Sequence, residues 1–142
     1  MDIVITPDPA SAAAAAADIV ERHVRPGPMV LGLATGSTPV ATYRELIRRH
    51  RETELSFAGV RTFPLDEHVG LDRNNEESYH RTVRREFTDH VDIADDEVSG
   101  PDGTSADSDE AALRYEAAMR DSGARWIRAA RPPCCSCNPT PR

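Results

Sequence analysis

The stretch from Met29 to Ala34 (MVLGLA) constrains the fold more than any other part of the chain. It is a short, continuous apolar run, closed abruptly by Thr35-Gly36-Ser37-Thr38-Pro39. An uninterrupted run of that length suits a strand covered on both faces, as in a parallel sheet. Pro39 fits the first turn of a following helix, where its missing N–H is no loss. Tyr43, Leu46 and Ile47 then mark the inward face of a helix from about Pro39 to Arg51. Strand, small-residue loop and helix in succession begin a parallel crossover unit.

The flanking sequence extends that pattern. Asp2 to Thr6 (DIVIT) reads as a short strand ending at Pro7. Asp8 or Ser11 caps a helix through the alanine run to about Val24, with Ile19, Val20 and His23 or Val24 inward. Arg25-Pro26-Gly27-Pro28 stops it. Val60 to Leu65 reads as a third strand, with Pro64 confined to its end or edge. Helices from Glu76 or Glu77 to Phe87 and from Asp109 to Ser122 follow, joined by an acidic loop over 92–108 expected to be solvated. The order predicts an α/β fold, a Rossmann-like, mainly parallel sheet with flanking helices. Ligands of such sheets sit outside the carboxyl ends of the strands. Two polar clusters, 35–38 and 66–68, fall there.

Charge and composition narrow the field. The 24 acidic and 17 basic side chains leave a net charge of −7, against the basic face a general nucleic-acid binder needs. No apolar run approaches the roughly 20 residues of a membrane span, and no basic-then-apolar leader opens the chain. The expectation is a cytoplasmic protein with no nucleic-acid or membrane partner. All 24 acids lie in residues 1–122, whereas 123–142 hold four Arg, all three Cys and the only Trp. So abrupt a break marks a boundary, with 123–142 expected to be a disordered or out-of-frame tail.

The first cluster has the makings of a phosphate cradle. A small-residue loop at a helix N-terminus turns backbone N–H groups and partial positive charge toward a ligand. Gly36 permits close approach, and Ser37 and Thr38 add hydroxyl donors. The Walker loop and the GxGxxG fingerprint are both missing, and an ordinary capped turn would have the same composition. In the second cluster, Asp66 and Glu67 offer one carboxylate to a ligand and one to supporting hydrogen bonds. Partial burial of the ligand-facing group would raise its pKa and make it a general base; a solvated turn is the plainer alternative. His23, His50, His80 and His90 lack metal-ligand spacing and read as surface or half-buried helix residues. Cys134, Cys135 and Cys137 lack a second ligand pair, so no metal site is expected.

Four stretches together resemble the glucosamine-6-phosphate deaminase family: LGLATGSTPVATYREL (31–46), LSFAGVRTFPLDEHVGL (55–71), ESYHRTVRREFTDHVDI (77–93) and ALRYEAAMRDSG (112–123). TGSTP is shared with related phosphosugar lactonases; LDEHVGL followed by ESYH is more specific. The resemblance makes residues 1–122 the N-terminal part of a sugar-phosphate isomerase/deaminase domain. It implies conversion of glucosamine 6-phosphate and water into fructose 6-phosphate and ammonium, without a cofactor, and on that basis a hydrolase. Asp66 matches the base for the C2 proton, and Gly36, Ser37 and Thr38 match the phosphate-holding segment. Glu67 matches a neighbouring substrate-site acid that reads as support, and His68 stands where Tyr is common. A homo-oligomer would be allowed if the full domain were present.

The resemblance stops after Gly123. Family members continue with a buried strand and a G-x-x-G-H-x-x-F-N-E-P-like motif that carries the ring-opening His; residues 124–142 contain no His, no acid and no aliphatic strand. The sheet is therefore expected to be incomplete and the chain weakly active or inactive. Two other readings remain: a 6-phosphogluconolactonase-like hydrolase, and a non-catalytic phosphosugar-binding fragment.

Overall fold

The computed structural model describes residues 3–123. The tail expected from 123 onward, with Cys134, Cys135 and Cys137, thus lies outside the described residues except for Gly123. Among the described residues the elements run α1 (Pro9–Val24), β1 (Met29–Leu33), α2 (Val40–Thr53), β2 (Val60–Pro64), α3 (Tyr79–Glu86) and α4 (Ser108–Asp121), with short 3-10 turns at Thr88–His90 and Asp95–Glu97 between α3 and α4. Asp8 caps α1 by accepting the backbone N–H of Ser11 at 2.8 Å. The alanine run has a packing purpose, since Ala13 and Ala17 are buried and small residues let α1 lie close on α2. Arg49 of α2 fastens that contact by donating to Glu21 of α1 at 2.7 Å, and its guanidinium is oriented by Glu45 of its own helix at 2.8 Å.

β1 and β2 pair in parallel, from Met29 opposite Val60 to Leu33 opposite Pro64. Leu65 N–H extends the ladder by donating to Leu33 O at 3.1 Å. Pro64 closes β2, the position its missing N–H allows. Tyr43, Leu46 and Ile47 are buried on α2, as their spacing predicts. The core turns on three aromatic rings: Tyr43 stacks on Phe87 with centroids 5.1 Å apart, and Phe57 meets Phe87 edge-on at 5.5 Å. Leu33, Leu46, Leu55 and Val60 fill the space around them.

Three expectations need correcting. The strand expected over Asp2 to Thr6 does not form among its described residues: Ile3, Val4 and Ile5 are 74%, 69% and 92% exposed and pair with nothing described. Apolar alternation prepares a strand, but only a neighbouring ladder makes one. Ile19, expected inward, is 47% exposed; of the pair His23 or Val24 it is Val24 that is buried, and the small alanines Ala13 and Ala17 carry the rest of the buried face.

The third correction concerns the acidic loop, which is anchored rather than solvated throughout. Asp92 accepts from Ser56 Oγ and Phe57 N, both at 2.6 Å. Glu97 pairs with Arg61, and Val98 forms a parallel bridge to Thr62 on the other side of β2 from β1. No described helix is long and apolar enough to cross a membrane.

Phe87→Ala removes the ring shared by both aromatic contacts. It is expected to lower stability by about 3–5 kcal/mol, a large fraction of the ~5–15 kcal/mol typical of a domain. Urea unfolding of the wild-type and variant chains measures this; a loss below about 1 kcal/mol would mean that the core does not close around Phe87.

Candidate functional site

The parallel register brings both polar loops out at the same edge of the sheet. They touch there: Thr35 Oγ1 donates to Asp66 Oδ1 at 3.2 Å. The first loop is held from below by Tyr43, whose hydroxyl donates to Ala34 O at 2.7 Å; burial raises the Tyr43 pKa to about 12, so the phenol stays a donor at neutral pH. The second is held by Tyr115 of α4, which donates to Pro64 O at 2.7 Å and packs its ring 5.7 Å from Phe63.

Gly36, Ser37 and Thr38 are exposed at the N-terminus of α2, which has no side-chain cap. A Cβ at Gly36 would meet nothing within 4 Å, so open space stands over the loop. Val40 N–H turns back to Ser37 O at 3.3 Å, but with no side-chain cap and two exposed hydroxyl residues this end of α2 can receive an anion. Asp66 is exposed rather than partly buried as expected, because the loop side chain leaves the sheet after Pro64 and packs under nothing described.

Glu67 has a different environment. One carboxylate oxygen accepts from His68 N at 2.9 Å and Tyr79 N at 2.8 Å, and the other accepts from His80 N at 2.9 Å. Ser78 Oγ takes the next free N–H, that of Arg81, at 3.0 Å. Glu67 and Ser78 thus cap α3 together, with a carboxylate at the positive end of the helix. The adjacent acids are divided between tasks: Asp66 faces out, and Glu67 ties its loop to α3.

The sequence reading missed several residues of this support. His80 is only 6% exposed, not a surface or half-buried helix residue. Its Nε2 lies 2.7 Å from Arg73 Nη2, and its Nδ1 lies 3.3 Å from Arg73 O. A guanidinium can only donate, so Nε2 must accept and the proton resides on Nδ1. Burial, then the Arg73 charge, push the His80 pKa below its usual value. Gly103 closes the loop from the other side, accepting from Gly70 N at 2.6 Å. A Cβ on Gly103 would sit 2.3 Å from His68 O and 3.1 Å from Leu71 O. Thr35 lay inside a motif already singled out; Arg73 and Gly103 carry no local signal, because their partners are 7 and about 33 residues away.

Comparison with known proteins fits this arrangement. The family model for glucosamine-6-phosphate isomerases/6-phosphogluconolactonase matches residues 8–134. The chain belongs to the glucosamine-6-phosphate isomerase/6-phosphogluconolactonase family. The match reaches into the stretch from 123 that composition sets apart. Within the family, the chain is 54% identical over 123 residues to a glucosamine-6-phosphate deaminase of Corynebacterium kroppenstedtii, covering 87% of this chain and 47% of the relative. It is 50% identical to that of Rhodococcus jostii, covering 87% and 48%. The solved structure of a monomeric glucosamine-6-phosphate deaminase superposes with a TM-score of 0.84 at 34% identity, over 87% of this chain and 52% of that one. A 6-phosphogluconolactonase of Leishmania guyanensis shares the fold, with a TM-score of 0.61 at 21% identity.

The chain therefore spans about half the length of the relatives it matches. The hydrolase class expected above is corrected: these relatives are named deaminases, an activity of the lyase and isomerase type, and hydrolase describes the lactonase neighbours.

Two outcomes test this support. A buried His with a lowered pKa takes up a proton more readily when unfolded, so its contribution is intact above about pH 6.5, the unfolded value, and lost as pH falls below it. Urea unfolding between pH 7.5 and 5 is expected to show stability falling with pH, with a shallower slope in His80→Gln; equal slopes would remove His80 as the source. Gly103→Ala forces two backbone carbonyls apart and is expected to cost about 1–3 kcal/mol, read by the same unfolding measurement, and to broaden the amide NMR signals of 67–71.

Proposed function

We infer that the chain carries the phosphate-holding loop and the proton-transferring carboxylate of a glucosamine-6-phosphate deaminase. The reading rests chiefly on the Thr35–Asp66 hydrogen bond, which joins an anion-receptive helix end to an outward carboxylate at one sheet edge. Family membership and the 54% and 50% identities to proteins named for this activity support it.

In the reaction, the sugar phosphate rests on Gly36, Ser37 and Thr38, and this fixes the sugar chain relative to Asp66. The Asp66 carboxylate takes the C2 proton of the open-chain aldose, leaving an enolamine, and the proton is delivered to C1. The C2 imine that results adds water and expels ammonia, giving the 2-ketose. One group thus serves as base and then as acid, a role suited to a carboxylate that reaches both neighbouring carbons. Glu67 takes no proton in this scheme; it holds the Asp66 loop against α3.

Gly36→Leu fills the open space over the loop without a clash, so it is expected to leave the melting temperature unchanged. Calorimetric affinity for glucosamine 6-phosphate should fall on the order of tenfold or more; unchanged affinity would move the phosphate elsewhere. Exchange of the C2 proton into D2O, followed by NMR, is expected to drop about 10²–10⁴-fold in Asp66→Asn while binding is retained. Exchange that survives the substitution would exclude Asp66 as the base.

A further inference from the structure

The loop that carries Asp66 is clipped to the start of α3 at both of its ends. At the near end, Glu67 accepts the N–H groups of His68, Tyr79 and His80. At the far end, Arg73 O accepts from Ser78 Oγ at 2.8 Å and lies 3.3 Å from His80 Nδ1, while Arg73 Nη2 lies 2.7 Å from His80 Nε2. His80 thus spends both ring nitrogens and its backbone N–H on this one loop. A second loop covers the ring: Ser99 N donates to Thr62 O at 3.1 Å, and a Cβ on Gly100 would sit 3.7 Å from His80 Cδ2. Arg73, by contrast, is exposed. A cavity of about 170 Å³ lies beside the pair, lined by Asp72 and Asp102 as well as by Arg73 and His80. A guanidinium leaving His80 therefore has space to enter and two carboxylates on its walls.

We propose that Arg73 and His80 are positioning residues for Asp66, forming a latch that holds the Asp66 loop on α3 while His80 is neutral and releases it when His80 binds a second proton. The proposal rests on the reading of Asp66 as the proton-transferring carboxylate. Asp66 directly precedes Glu67, so the seating of this loop sets where its carboxylate meets Thr35 Oγ1. Neutral His80 accepts from Arg73 at Nε2; an imidazolium carries N–H at both positions, and a guanidinium has only donors. Protonation therefore sets donor against donor, and one positive charge against another, at the same 2.7 Å contact. His80 is enclosed and Arg73 is not, so Arg73 is the group that leaves. Burial, Arg73 and Arg84 of α3 oppose protonation of the ring, whereas Arg73 O, Glu67 and the cavity acids Asp72 and Asp102 favour it. The first set prevails, so the latch is closed at neutral pH and opens on the acid side of about pH 6.5.

The test is NMR on the full 142-residue chain, with Arg73→Met and His80→Gln. The first changes an exposed side chain; the second keeps an oxygen that can accept from Arg73 but cannot titrate. At pH 7, Arg73→Met is expected to speed amide exchange at His68 and Tyr79, which donate to Glu67, on the order of tenfold. Leu65, which donates into the sheet ladder, should be unchanged, and His80→Gln should match the wild type. At pH 5 the wild type should exchange on the order of tenfold faster at His68 and Tyr79 than His80→Gln does. The Asp66 carboxylate signal should follow the midpoint of the His80 ring in the wild type alone. His68 is a second imidazole in the same loop, so the comparison is repeated in a His68→Tyr background. The proposal is overturned if Arg73→Met leaves His68 and Tyr79 unchanged, or speeds Leu65 equally, which is a general loss of stability. Agreement of the wild type with His80→Gln at pH 5 overturns it too. Should His80→Gln not fold, the Arg73→Met arm and the shared midpoint of ring and carboxylate decide alone. No substrate enters these readouts, so their failure is distinct from that of the Asp66 assignment, which C2 exchange in Asp66→Asn decides.

Discussion

Parallel pairing of Met29–Leu33 with Val60–Pro64 governs everything else in this molecule. Parallel strands send their following loops out of the same edge, and a register with Leu33 opposite Pro64 ends both strands level. The loop that begins at Ala34 and the loop that begins at Leu65 therefore start side by side, although 31 residues separate Thr35 from Asp66. A slip of one residue would turn Phe63 away from Tyr115 and Leu33 away from the core, so burial fixes the register and the register fixes the site. The crossover helix α2 serves both ends of the arrangement. Its inward face carries Tyr43 to the aromatic core, and its N-terminus faces the loops.

Around that edge the structure separates groups that must stay free from groups that must not move. The free set is Gly36, Ser37, Thr38 and Asp66, all solvent-facing, with only Asp66 held by another side chain. The fixed set satisfies backbone polarity. Glu67 and Ser78 consume the first N–H groups of α3, Tyr43 and Tyr115 satisfy the carbonyls of Ala34 and Pro64, and Arg73 donates to His80 Nε2. An anion is drawn to a helix end whose N–H groups are not already capped. α2 lacks a side-chain cap and α3 has two. That contrast, more than the loop composition, separates the two helix ends: one is left open and the other is closed by side chains.

Much of this was legible in the sequence because it is local. Periodicity located both strands of the sheet and all four helices to within a few residues, and Tyr43, Leu46 and Ile47 were readable as a buried stripe. The division of the Asp66-Glu67 pair into an outward and a supporting group was also within reach, since adjacent residues leaving a strand diverge. What could not be read depends on partners distant in sequence. The apolar run Ile3-Val4-Ile5 has every local mark of a strand and no described ladder to join. His80 looks like any histidine at the start of a helix until Arg73 and Glu67 are brought to it. The 92–108 loop reads as acidic and solvated, yet Asp92 is positioned to accept the backbone of Phe57, and Val98 lines up beside Thr62.

Among the described residues, β1 has one paired neighbour and Asp66 is exposed at the carboxyl edge of the sheet. A carboxylate moves a proton from carbon effectively when water is excluded and nearby dipoles are fixed, because charge interactions weaken as solvent enters. Asp66 here has Thr35 and solvent. A strand running parallel along β1 would end level with Leu33 and release its own following loop beside Thr35 and Gly36. The same step that gives β1 its second neighbour would thus bring new side chains to the sheet edge where Asp66 stands and narrow the solvent around it. In a parallel sheet, folding and site closure are coupled in this way, since each added strand contributes a loop to the shared carboxyl edge. The described residues bring an uncapped helix end and an outward carboxylate to one such edge, joined by the Thr35–Asp66 hydrogen bond.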